Sequence, residues 1–147
     1  MTATPNCNQE NTIERQHLLS LVNQLSDEQL SHPMEGGWTV SSILGHLAFW
    51  DYRALVLIEK WQKDGIGPSP MDTDIVNEVT RKFLMAISPR KAAQIAIESA
   101  AAIDQAIEQL SPEMTTAIDT IGKTVHLNRA DHRRVHLGEI VKCLNIS

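Results

Sequence analysis

The sequence has only two cysteines, Cys7 and Cys143, one toward each end of 147 residues. That is too few and too scattered for a disulfide framework, and it suits a reducing, cytoplasmic setting. Basic residues are also in deficit. The 13 Lys and Arg against 18 Asp and Glu leave a formal charge of −5, the wrong sign for non-specific binding to nucleic acid or to an anionic membrane. No apolar run approaches the roughly 20 residues of a membrane span. The N-terminal stretch Met1–Asn6 is polar and lacks the apolar core of a secretory signal. Internal repeats, low-complexity linkers and blocks of like charge are missing too, and no segment alternates with a period of two between hairpin turns. Aromatic residues make up 4%, and all three tryptophans fall between positions 38 and 61.

What remains is 42% hydrophobic and 21% charged, within the globular norm. A chain of this length buries roughly 68–70% of its unfolded surface, enough for a core without staples. The expected organisation is one domain over residues 1–147, with about 1–8 flexible.

Helical periodicity runs through most of the chain. Leu18, Leu21, Val22 and Leu25 recur at three- and four-residue spacings in a first helix of about Gln9–Leu25. Pro33, Gly36 and Gly37 punctuate the chain before Thr39, an N-cap residue type. A second helix follows to about Lys63, with Val40, Ile43, Leu44, Leu47, Ala54, Ile58 and Trp61 on one stripe. Asp72–Ala86 is helical by pattern, and Ser88-Pro89 starts another helix to about Leu110. These two pieces are expected to form one kinked or broken helix. Ser111-Pro112 opens a short extra turn. Residues 116–127 are expected to be irregular, with a brief extended piece at Thr124-Val125-His126, and the last helix covers about Asn128–Leu144. Four long helices with short connections predict an all-α, four-helix bundle.

In the last helix, a turn of about 100° per residue places His132, His136, Ile140 and Cys143 on one stripe. Two imidazoles on a core-facing stripe need hydrogen-bond partners or a metal ion. Separated by one turn, they can grip one ion. His46 is the natural third ligand, although it lies on the flank of its helix's apolar stripe, as at the rim of a groove. Asp51 falls at the centre of that stripe and requires a partner. It orients a ligand histidine or ties down the loop around Trp38. His17 and His32 read as surface residues, and His126 lies in the connection before the last helix. Three histidines with one open position form a catalytic metal pattern, whereas structural zinc usually takes four protein ligands. The donor type favours zinc, nickel or iron over magnesium or calcium. Such an ion activates a water or an incoming thiol.

The stretch Gly37–Leu55, with Trp38-Thr39 leading into His46-Leu-Ala-Phe-Trp50, resembles the second helix of DinB-like proteins. The segment Asp131–Ile140 is similar to that superfamily's closing His-x-x-x-His-x-x-x-Ile helix. Asp74-Ile-Val-Asn77 followed by Ser88-Pro89 resembles the branch that includes the N-terminal domain of mycothiol-dependent maleylpyruvate isomerase. The resemblance implies an up-and-down four-helix bundle, a homodimer and a divalent metal, zinc or nickel, held by His46, His132 and His136. It also implies a low-molecular-weight thiol as cofactor, a small-molecule substrate, and S-transferase or isomerase activity. The isomerase branch has a carboxylate where this chain has His132, which argues against importing its reaction. Asn77 is placed near the site by the same resemblance. A sequestering module without turnover and a metal-dependent hydrolase are the alternatives.

Overall fold

The computed structural model describes residues 4–122 and 124–147, so Met1–Ala3 of the expected flexible end lie outside the described residues. Among the described residues seven α-helices follow one another: α1 (Thr4–Gln24), α2 (Asp27–Leu30), α3 (Val40–Asp64), α4 (Thr73–Leu84), α5 (Pro89–Glu108), α6 (Pro112–Ile121) and α7 (Ala130–Leu144). A single 3-10 turn, Glu35–Gly37, precedes α3. The described residues contain no strand, only an isolated bridge between Pro33 and Thr39. No described helix is long and apolar enough to cross a membrane.

The four long helices are mutual neighbours in a closed ring: α1 packs on α5, α5 on α3, α3 on α7 and α7 on α1. The α3–α5 interface is the most extensive. Small side chains explain the close approach there, since Ala92, Ala93, Ala96 and Ala100 of α5 and Ala48 and Ala54 of α3 are all buried. Axis separation shrinks with side-chain size. Two apolar clusters fill the ring. One gathers Leu18, Leu44, Leu47 and Ile140, the other Ile58, Trp61, Ile103 and Ile118.

Outside the ring, α4 rests on α3. Gly45 makes that seat, because a Cβ there would lie 2.8 Å from Leu84 Cδ2. The Asp72–Leu110 region is therefore two helices separated by a turn, and only α5 joins the ring. Residues 116–121 correct the expected irregular connection: they complete α6, a ten-residue helix. Ser111 caps it by accepting from Met114 N, Pro112 sits in its first turn, and Thr115 and Ile118 bury one face. The run of threonines hides this helix from propensity, and burial overrides the weak preference. Thr124–His126 forms no strand. Val125 is buried there as a single apolar anchor instead.

Candidate metal centre

A capping box starts α3. Thr39 Oγ1 accepts from Ser42 N, and Ser42 Oγ accepts from Thr39 N at 2.8 Å. This fixes the helix start and places His46 two turns in. Trp38, just before the cap, meets the His46 ring edge-on with centroids 5.4 Å apart.

The start of α7 is capped from another helix. Asn11 of α1 accepts from Arg129 N and Ala130 N through Oδ1, at 2.8 and 2.9 Å, and donates through Nδ2 to Leu127 O. Asn11 is 1% exposed, so these bonds satisfy helix-end donors that water does not reach.

The core face of α7 is Ala130, Arg133, Leu137 and Ile140. This rotates the expected stripe by about one residue. Ile140 belongs to it, but Cys143 is exposed and His132 and His136 are half-buried on its flank. His46, expected at a rim, is the buried member of the three at 7% exposure. The reversal follows from Arg133, whose charge suggests a surface position although it lies at the centre of the buried face.

Arg133 is buried because its charge is answered there. Its Nη1 and Nη2 donate to the two oxygens of Asp104 at 2.9 and 2.8 Å, a bidentate pair. Nη2 also donates to Asp51 at 3.3 Å, and Nη1 donates to Asn11 O at 3.1 Å. Arg129 Nε donates to Asp51 at 3.0 Å, and Arg15 Nε donates to Asp104 at 2.9 Å. Burial alone lowers the proton affinity of Arg133, but Asp104 and Asp51 more than offset it and the net shift is upward. Among the described residues Asp51 thus hydrogen-bonds to neither a histidine nor the loop around Trp38. It stands five residues beyond His46 on α3, and Arg133 stands next to His132 on α7. The network therefore sets the position of the two α7 histidines relative to His46.

The three imidazoles converge. Ring centroids lie 5.0 Å apart for His46–His132, 4.8 Å for His46–His136 and 4.7 Å for His132–His136. One nitrogen from each falls within 4.8 Å of the others. His46 Nε2 and His132 Nε2 are 3.1 Å apart. A tetrahedral ion about 2.0–2.1 Å from each nitrogen separates its ligands by about 3.3 Å, so this pair already has the spacing a metal requires. His136 Nδ1 donates to Glu139 Oε1 at 2.6 Å, which fixes its tautomer and leaves Nε2 as the free donor atom, the usual carboxylate–histidine arrangement behind a metal. Buried His46 Nδ1 has no hydrogen-bond partner among the described residues. The donor set is three imidazole nitrogens, with no fourth protein ligand among the described residues, so the residues fit an open-sided divalent site.

Burial, with the charge of His136 next, pushes His46 down from 6.5 to about 4. Burial, then His136 and His46, pushes His132 down to about 3. Both rings are thus neutral at pH 7 and offer lone pairs. In the unfolded chain they take up protons near pH 6.5, while the folded metal-free protein resists until about pH 4 and 3. The unfolded state binds more protons in that window, so stability is fully present above pH 6.5 and falls as pH drops through it. For His46 the full loss is on the order of 3 kcal/mol. Urea denaturation at pH 7 and pH 4.5 should show a steeper loss for the wild type than for His46→Gln. Equal losses would refute the assignment.

The site opens into a groove of about 1320 Å³ lined by Trp38, Trp50, Asn77, the three histidines and the exposed His126. Asn77 Oδ1 accepts from Trp50 Nε1 at 2.8 Å and so fixes the indole wall. His17 is exposed and pairs with Glu14, and exposed His32 donates to Pro33 O. Both stand apart from the centre. Cys7 and Cys143 are free, and burial, then Asp119 and Glu10, pushes the Cys7 thiol up to about 11.

Sequence reasoning missed Glu139, Arg133, Arg129, Asp104 and Asn11. Glu139 was legible as an acid one turn from a candidate ligand. Asp104 and Asp51 both fall on apolar stripes, and two lone core carboxylates call for a buried cation. The cap by Asn11 leaves no local signal.

The sequence model of the DinB superfamily matches residues 11–140, a span holding all three histidines. The chain belongs to the DinB superfamily. Comparison with curated proteins and with solved structures gave no match. Of the three histidines in this DinB-superfamily chain, α3 carries one and α7 carries two.

Proposed function

We propose that this DinB-superfamily chain is a divalent-metal-dependent enzyme of the thiol S-transferase or isomerase type, working on a small molecule. The observation that carries the reading is the convergence of three imidazoles, with no fourth protein ligand among the described residues, in a groove of about 1320 Å³. His46, His132 and His136 hold the ion, zinc or nickel by donor type. When bound, it supplies Lewis acidity that favours the thiolate form of a thiol. The chain's own residues do the rest. Glu139 holds His136 in one tautomer, Trp38 packs against His46 away from solvent, and Asn77 fixes Trp50 as a wall for the substrate. In this reading the ring of α1, α5, α3 and α7 is the up-and-down four-helix bundle of the superfamily, and the active form is a cytoplasmic homodimer.

The test is elemental analysis of the purified protein, followed by a screen of the metal-loaded form with low-molecular-weight thiols and a model electrophile. About one equivalent of divalent metal and thiol-dependent consumption of the electrophile are expected. Absence of metal after reconstitution would overturn the proposal. Tight binding of the electrophile without thiol dependence would make the protein a sequestering module, and thiol-independent consumption of water would make it a hydrolase.

A further inference from the structure

A second cavity of about 410 Å³ opens beside the groove, and Trp50, Thr73, His126 and Arg129 line both. Arg53 lines the smaller one. Its guanidinium donates to Thr124 O at 2.7 Å, to Ser69 O at 3.1 Å and to Ser69 Oγ at 3.3 Å. These are neutral acceptors. Among the described residues Arg15, Arg81, Arg90, Arg129, Arg133 and Arg134 each reach a carboxylate, and Arg53 alone does not. In a chain where carboxylates outnumber Lys and Arg by 18 to 13, that omission needs a reason.

Arg129 supplies a second cation to the same space. It is 8% exposed, and it spends Nε on Asp51 and Nη1 on His126 O. Its Nη2 has no hydrogen bond to any described residue. The two guanidiniums disfavour one another: Arg53 has its proton affinity lowered by burial and then by the charge of Arg129. An anion seated between them relieves both. The larger groove is the poorer seat for an anion, because Glu35, Asp74, Glu78, Asp131 and Glu139 line it against one further cation, Lys142.

The register joins this cavity to the histidines. Arg53 follows His46 by seven residues in α3, which is two turns, about 10 Å along the axis and the same helix face. Trp50 lies between them, with its ring 5.8 Å from the Arg53 guanidinium.

We propose that Arg53 and Arg129 form a subsite for a carboxylate, and that the protein's ligand is a small carboxylic acid whose other end reaches the three histidines. The planar guanidinium fork suits a carboxylate. The subsite stands on its own geometry, and only the position of the ligand's other end rests on the metal-enzyme reading.

The probe is succinate, with succinamide as its neutral isostere, titrated calorimetrically into metal-loaded and chelator-stripped protein. Succinate is expected to bind about tenfold or more tightly than succinamide in both forms. Arg53→Gln should abolish the preference and Arg53→Lys should keep part of it. Because Arg53 also ties the chain at Ser69 to Thr124, a second variant leaves that tie intact. Thr73→Glu places a negative charge at the cavity wall in the first turn of α4, where the helix tolerates it, and should also abolish the preference. Equal affinities in the folded wild type would overturn the subsite, as would a preference that vanishes with the metal or survives both Arg53→Gln and Thr73→Glu. His46→Ala should lose metal and keep the preference for succinate, so failure of the metal centre is read separately.

Discussion

Replacing Arg133 with methionine should cost about 3–5 kcal/mol of stability, the usual result of removing one partner from a buried ion pair. Arg133 is 1% exposed and serves Asp104, Asp51 and the Asn11 carbonyl at once. Without it, Asp104 keeps Arg15 and Asp51 keeps Arg129, but each buried carboxylate loses part of its compensation. Domains of this size are stable by roughly 5–15 kcal/mol, so the variant sits near the edge of folding. Urea denaturation read by linear extrapolation measures it. Adding Asp104→Leu to Arg133→Met should recover much of the loss, because an apolar set does not carry the desolvation cost. A loss below about 1 kcal/mol for the single variant would mean that the network contributes little. Metal affinity should fall in parallel, since Arg133 and Asp51 hold α7 in register with α3.

The His132→Ala, His136→Ala double variant should lose about 10⁴-fold in metal affinity. Structural zinc sites with four ligands bind with roughly 10–16 kcal/mol, about 3 kcal/mol or two decades per ligand, and two ligands are removed here. The variant should remain folded, because both side chains are half-buried on the flank of α7 rather than at its core face. His46→Ala differs, since it also opens a void behind a residue 7% exposed. Competition with a chelator of known affinity reads the loss, and circular dichroism confirms the fold. A full equivalent of metal retained by the folded double variant would dismiss the three-histidine centre. Glu139→Gln should cost a further one to two decades in otherwise wild-type protein, because the carboxylate behind His136 sets its tautomer and basicity.

Both predictions depend on residues that were unequally visible in the chain. His132 and His136 declare themselves by spacing, since positions four apart share a helix face whatever the tertiary structure. The depth of that face is another matter. Helical geometry allows Ile140 to belong to a stripe with His136 or to one with Arg133 and Leu137, and one residue of rotation separates them. Reading the charge of Arg133 as a surface mark selects the first, although the second carries more apolar residues. The buried partners Asp51 and Asp104 select the second, and they come from α3 and α5.

Local chemistry was legible wherever the partner is close in sequence. Thr39 caps α3 through Ser42, Ser26 caps α2 through Gln29, and Ser111 caps α6 through Met114 N, all within three residues. The boundaries of α3, α5 and α7 and the end of α1 follow from apolar periodicity and punctuation for the same reason, whereas α1 starts at Thr4 rather than near Gln9. The missed helix, α6, is one in which Thr115 and Ile118 gain from burial what their neighbours lack in propensity.

The sequence by itself determined the helical class, the positions of the long helices and the three histidines, because periodicity and capping act over one or two turns. Tertiary structure alone decided which face of α7 is core, that Asn11 completes that helix from α1, and that His46 rather than His132 or His136 lies deepest. It also left Arg53 without a carboxylate beside a second arginine. These are encounters between residues 29 to 122 positions apart, and no local pattern encodes a partner chosen by the packing of another helix.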